Sequence, residues 1–150
     1  MNAPRSQRLQ RVADIAGKHT DDAANVLAQR LRTLDAAKQQ LQELEQFRSD
    51  YGQPATAPGQ PGISVAELRN RQQFVARIDQ AIIQQRLEVE QHTRFLALAR
   101  AAWIESRSRS AALETVTERH RSREKAGEER AEQAALDERM QRRKTPWKSP

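Results

Sequence analysis

The sequence predicts an all-α protein: a long antiparallel two-helix coiled-coil hairpin with an overhanging C-terminal helix. Three observations carry this. Leu68, Val75, Ile78, Ile82, Val89, Leu96, Ala99 and Trp103 recur at steps of seven, three and four, and that spacing keeps one apolar stripe on one face of a helix. Ala, Gln, Glu, Arg and Leu dominate a chain of 150 residues that is 37% hydrophobic and 31% charged, with 4% aromatics. Such a composition suits a long helix or coiled coil and leaves little for a thick globular core. A Pro- and Gly-rich stretch from Gly52 to Gly62 separates two long helical patterns. Disorder is the competing reading for so polar a chain, and the sustained heptad spacing argues against it over most of the length. The length allows one domain, at most two, and a single coiled-coil domain over residues 1–150 is expected.

The first helix is expected over about 5–51. Its seam includes Leu9, Val12, Ala16, Thr20, Ala23, Leu27, Arg30, Leu34, Ala37, Leu41, Leu44, Arg48 and Tyr51. The early part is small and polar, and the part from Leu27 is richer in Leu, so the tighter pairing is expected there. Gly17 is a soft point that costs about 1 kcal/mol against Ala; it either frames a close approach or is simply a tolerated glycine. Gly52 ends the pattern, as a helix C-terminal Gly does. Pro54, Pro58, Pro61, Gly59 and Gly62 then make 52–63 the loop of the hairpin, longer than most.

The second helix is expected over about 64–141. Ser64 caps it, Glu67 completes a capping box, and Ile63 with Leu68 can form a hydrophobic staple. No Pro follows until Pro146. At ~1.5 Å per residue the second helix spans roughly 115 Å and the first only ~70 Å. If Tyr51 faces Leu68 at the tip, Leu44 meets Val75 and Leu41 meets Ile78. Leu27 then lies near Gln91 and His92, Gly17 near Ala101 and Ala102, and the chain start near Leu113. Everything beyond overhangs, and there the apolar seam fades, with Leu136 and Met140 its last sizeable members. Residues 142–150 are expected as a frayed basic tail.

With no Cys, the chain has no disulfide, thiol nucleophile or zinc–thiolate site. The N-terminus has no apolar core of a signal peptide, and no run is long enough to span a bilayer, so a soluble cytosolic protein is expected. No GxxxxGK or GxGxxG loop occurs. His19, His92 and His120 stand at no metal-ligand spacing, and a two-helix hairpin has no interior that excludes water. The carboxylates lie on a solvated helix. The expectation is a protein that is not an enzyme and holds no cofactor or metal.

What remains is surface. Near the tip, Phe47, Tyr51 and Phe74 gather with Leu44, Ile78 and Ile82. Two helices bury only their facing stripes, so exposed aromatics there suggest a partner-binding patch; equally, they tighten the tip against fraying. At the other end, Arg5, Arg8 and Arg11 meet an Arg-rich stretch from Arg107 to Arg143. The net charge is +6 and the pI near 10.4. An Arg-lined end suits an acidic ring or groove. Nucleic acid is not expected, because no aromatics interleave with these cations until Trp147.

The whole chain resembles the FliJ family, small coiled-coil components of the bacterial flagellar type III export apparatus. The likeness rests on Leu9-Gln10-Arg11-Val12-Ala13-Asp14, Asp21-Asp22-Ala23-Ala24, and Gln40-Leu41 through Phe47-Arg48-Ser49-Asp50-Tyr51. After the loop it continues with Gln72-Gln73-Phe74, Ile78-Asp79-Gln80-Ala81-Ile82 and Ala102-Trp103. It implies an antiparallel coiled coil similar to the central stalk of rotary ATPases. Its implied partners are the hexameric flagellar export ATPase, whose ring assembly it promotes, the export-gate membrane protein and the export chaperones. It also implies a cytoplasmic protein, held peripherally at the cell membrane through its partners and needed for flagellum assembly, motility and chemotaxis. The family's gate-binding patch carries over onto Gln40, Leu44, Phe47, Tyr51, Phe74, Ile78, Ala81 and Gln85. Phe47 and Gln85 stand where the family often has a Tyr and a His. The ATPase-facing end falls on Arg5, Arg8, Arg11, Arg119, Arg123 and Arg130. The alternative, of a different class, is a general helical chaperone or escort for export substrates and their chaperones.

Overall fold

The computed structural model describes residues 3–52 and 62–144. Helix α1 spans Arg5–Gly52 and helix α2 spans Val65–Lys144. The two long helices pack against each other as a hairpin, and no strand occurs among the described residues. Most of the expected loop, 53–61, lies outside the described residues, as does the end of the expected basic tail, 145–150. Arg142, Arg143 and Lys144, expected in that tail, form the last turn of α2, where cations oppose the negative end of the helix dipole.

The two helices start by different means. Ser64 caps α2: its Oγ accepts the Glu67 N–H at 3.2 Å, and its carbonyl accepts the Leu68 N–H at 2.9 Å. Pro4 precedes α1 and offers no side-chain acceptor. Its carbonyl takes the N–H groups of Gln7 and Arg8 at 3.0 and 3.3 Å, which leaves the first-turn N–H groups to find partners elsewhere.

The chain forms two compact units, Asp22–Ile104 and Met1–Asp21 with Glu105–Pro150. In the first, Leu34, Ala37, Ile78, Ile82 and Ala99 are buried. Burial of each Leu or Ile side chain contributes about 1.5–3 kcal/mol. The helices run antiparallel: Tyr51 meets Phe74, Arg48 meets Asp79, Glu45 meets Arg86, Gln85 reaches Ala37 and Gln40, and Arg30 lies over Phe95.

This register corrects the expected one by about a heptad. Tyr51 faces Phe74 rather than Leu68, and Gln85, not Ile78, lies alongside the turn before Leu41. A slip of seven residues leaves both apolar stripes facing each other, so periodicity cannot detect it. Charge pairing can. The expected register sets Arg48 against Arg71, two cations, and strips Arg48 of its acidic partner Asp79. The first turns of α2 consequently extend past the last paired residue of α1, with Val65 and Leu68 exposed.

The second unit is packed differently. Its buried residues are Ala13, Ala16, Ser6 and Thr117. Thr20 and Ser106 share a hydroxyl–hydroxyl bond of 3.0 Å, Arg121 donates to Gln10 Oε1 at 2.8 Å, and Ser6 bonds Glu124. The start of α1 therefore lies beside Glu124, not near Leu113 as expected, and Thr20 rather than Gly17 has its partner in this stretch. Pairing continues beyond the point where hydrophobicity fades, because polar side chains bond across the seam, Thr20 with Ser106, Gln10 with Arg121 and Ser6 with Glu124. Beyond Gly127 every residue of α2 to Lys144 is exposed. A methyl group at Gly17 would meet nothing within 4 Å, so no close approach requires glycine there.

Candidate partner-binding surfaces

In the Asp22–Ile104 unit, Phe47, Asp50, Tyr51, Arg71 and Phe74 line an open groove. The heptad ladder places it: Tyr51 stands at the last seam position of α1 and Arg71 near the start of the α2 seam, and Phe47 and Phe74 flank them. The Tyr51 and Phe74 rings meet edge to face, 4.9 Å between centroids and 61° between planes, a favourable aromatic geometry. Arg71 Nε donates to the Tyr51 carbonyl at 2.9 Å, satisfying one of the acceptors left open at the end of α1. Arg48 Nε donates to Asp79 Oδ1 at 2.7 Å, and a Cβ added at Gly52 would run into the Arg48 guanidinium. The groove is thus fixed by cross-helix bonds, yet its rings stay wet: Phe47 is 54% exposed, Tyr51 43% and Phe74 44%.

In the other unit, Glu124 binds the start of α1. Its Oε1 accepts the Ser6 N–H at 3.1 Å and its Oε2 the Ser6 hydroxyl at 2.5 Å. It supplies from α2 the cap that Pro4 cannot provide. The Ser6 hydroxyl, then the Ser6 N–H, hold its carboxyl below the usual carboxylate range, with His120 and Arg121 adding to the effect. Arg5, Arg8, Arg11, Arg119, Arg123 and Arg130 are all exposed in this unit. Glu118, Glu128 and Glu129 interleave with them, so the surface is mixed in charge, with Arg in excess. His19 lies in a small groove with Val12, Ile15, Ala16, Ser106, Arg109 and Leu113. No group of three His, Cys, Asp or Glu able to hold a metal occurs among the described residues. No helix among them is long and apolar enough to cross a membrane.

A family model described as the flagellar FliJ protein matches residues 5–145. The chain belongs to the FliJ family. The flagellar FliJ protein of Salmonella typhi is 32% identical over 134 residues, covering 89% of this chain and 91% of that relative. The flagellar FliJ protein of Escherichia coli K12 is 31% identical over 134 residues with the same coverage. Membership makes the chain a component of the flagellar export apparatus.

Within this FliJ-family chain, the eight tip residues singled out from the sequence fall in one unit but not on one surface. Phe47, Tyr51, Phe74 and Gln40 are exposed, and Leu44 and Ala81 are half-buried. Ile78 is 6% exposed and Gln85 9%. Gln85 spends its amide on the Ala37 carbonyl at 3.0 Å and on Gln40 Oε1 at 3.2 Å, so it and Ile78 position the surface rather than form it. The sequence reading passed over Asp50 and Arg71 in the groove, and Arg121 and Glu124 in the other unit. Arg71 was findable, since it continues the seam ladder three residues after Leu68 and four before Val75. Glu124 was not, because its role rests on Ser6, 118 residues away in the chain, lying beside it.

Proposed function

We propose that this chain is a non-catalytic adaptor that binds the flagellar export ATPase ring, promotes its assembly and couples it to the export gate. The observation that supports this is the exposed aromatic groove of Phe47, Tyr51 and Phe74. Three large rings left in water on a rigid, bonded frame are the form of a binding hot spot. In this reading the groove meets the export-gate protein, with Gln40, Leu44 and Ala81 at its margin and Ile78 and Gln85 beneath. The Arg-bearing unit, with Arg5, Arg8, Arg11, Arg119, Arg123 and Arg130, meets the ATPase and draws on complementary charge. Energy enters through ATP hydrolysis by the partner; this chain contributes shape and charge. It works at the cytoplasmic face of the cell membrane, and export chaperones are further partners.

Two measurements test this. ATP hydrolysis by the export ATPase, assayed at low ATPase concentration, should rise when this protein is added; no stimulation refutes the ATPase half. Phe47→Ala should abolish binding to the export gate and impair motility while the thermal midpoint stays put. Unchanged gate binding in Phe47→Ala and Phe74→Ala refutes the gate half.

A further inference from the structure

Helix α2 carries a second stripe, on the side away from its seam. Ile83, Leu87, Glu90, Arg94, Ala97 and Ala101 follow at alternating steps of four and three, the same heptad spacing that builds the buried seam. Every one of them is exposed. Ile83 and Leu87 each keep 54% of their surface in water, and Leu98, on the shoulder of the stripe, keeps 68%. A solvated helix face needs Glu and Arg; it has no need of Ile and Leu at heptad positions.

We propose that this stripe is the contact surface for a second copy of the chain, whose α2 crosses antiparallel about a twofold axis near position 92. The order of residues along the stripe supports it. A twofold axis there brings Glu90 of each copy against Arg94 of the other, giving two symmetric ion pairs at the centre. On either side Leu87 meets Ala97 and Ile83 meets Ala101, so every outer layer sets a large side chain against a small one. A parallel pairing would instead stack Glu90 on Glu90 and Arg94 on Arg94. The stripe is therefore self-complementary in one orientation and self-repelling in the other, which is what an isologous contact requires. Neither Glu90 nor Arg94 forms an ion pair within the chain among the described residues. One helix face of this length belongs to the small, transient class of interfaces, so the dimer is weak and depends on concentration. This contact is separate from the aromatic groove and does not depend on the reading given to it.

Sedimentation equilibrium of the full chain, from low to high micromolar concentration, tests this. The parent should pass from monomer to dimer. Arg94→Glu and Glu90→Arg should each raise the dimer Kd by about tenfold, since each turns two attractions into two repulsions. The double variant, Glu90→Arg with Arg94→Glu, should restore the parent value. Leu87→Lys should leave a monomer. All of these positions are exposed, so far-UV circular dichroism and melting should match the parent in each variant. A parent that stays monomeric throughout overturns the proposal, even if another helical protein proves to bind the stripe. Association indifferent to Leu87→Lys and to both charge reversals overturns it too. So does a double variant that fails to recover.

Discussion

Replacing Gln85 by Leu and by Ala separates what its amide contributes from what its bulk contributes. Gln85 is a seam residue, 9% exposed, with bonds to the Ala37 carbonyl and to Gln40 Oε1. A net hydrogen bond is worth about 1 kcal/mol, so the pair is worth about 2 kcal/mol. Neither acceptor is orphaned by the loss: the Ala37 carbonyl belongs to the α1 backbone ladder, and Gln40 is exposed to water. Leu in the same place regains about 1.5–3 kcal/mol of apolar burial. Gln85→Leu should therefore fall within about 1 kcal/mol of the parent. Gln85→Ala loses both bonds and about two buried methylenes at ~0.8 kcal/mol each, or about 3–4 kcal/mol in all. Urea unfolding followed by far-UV circular dichroism reads both numbers, and a double-mutant cycle with Gln40→Ala should return a coupling of about 0.5–1.5 kcal/mol. The reasoning fails if Gln85→Leu is as unstable as Gln85→Ala, for then the amide contributes far more than two ordinary bonds. It also fails if the coupling to Gln40 is zero.

Three further outcomes are expected. Ile82→Ala, at a position 7% exposed, should cost about 2–4 kcal/mol in urea unfolding, while Ile83→Ala next to it, 54% exposed, should cost no more than about 0.5 kcal/mol. Glu124 has its folded pKa held below its unfolded value by Ser6. Its stabilising effect is thus complete above the unfolded pKa and is lost as the pH falls through the folded one; hydrogen exchange at the start of α1 should accelerate across that acid window, and Glu124→Gln should remove the pH dependence. Gly17→Ala should raise stability by about 1 kcal/mol, because the added methyl meets nothing within 4 Å; a loss of stability would mean that the helices approach more closely there.

The site was only partly legible beforehand. Phe47, Tyr51 and Phe74 were found because aromatics are scarce in this chain and these three sit where two helical patterns end. Gln85 and Ile78 were assigned to the same surface, yet they lie beneath it. Both stand at seam positions, Ile78 and seven residues on Gln85, which a slip of one heptad leaves facing α1; the spacing implied their burial, and the resemblance alone put them on the surface. Arg71 is an ordinary charged residue until the Tyr51 carbonyl is brought beside it, and Asp50 until Arg71 and Phe74 close the other side of the groove.

Periodicity and composition on their own determined that the chain is two long helices in a hairpin, where α2 begins, and that aromatic residues gather near one end of the paired stretch. These are local matters: a cap, a stripe and a Pro-rich break act within a few residues of themselves. The tertiary structure alone decided the register, the polar seam of the second unit, and the cap that Glu124 supplies to α1. Each depends on a residue more than twenty positions distant in sequence. A heptad repeat maps onto itself after seven steps, so only the particular pairs Glu45 with Arg86, Arg48 with Asp79 and Tyr51 with Phe74 distinguish one alignment from the next.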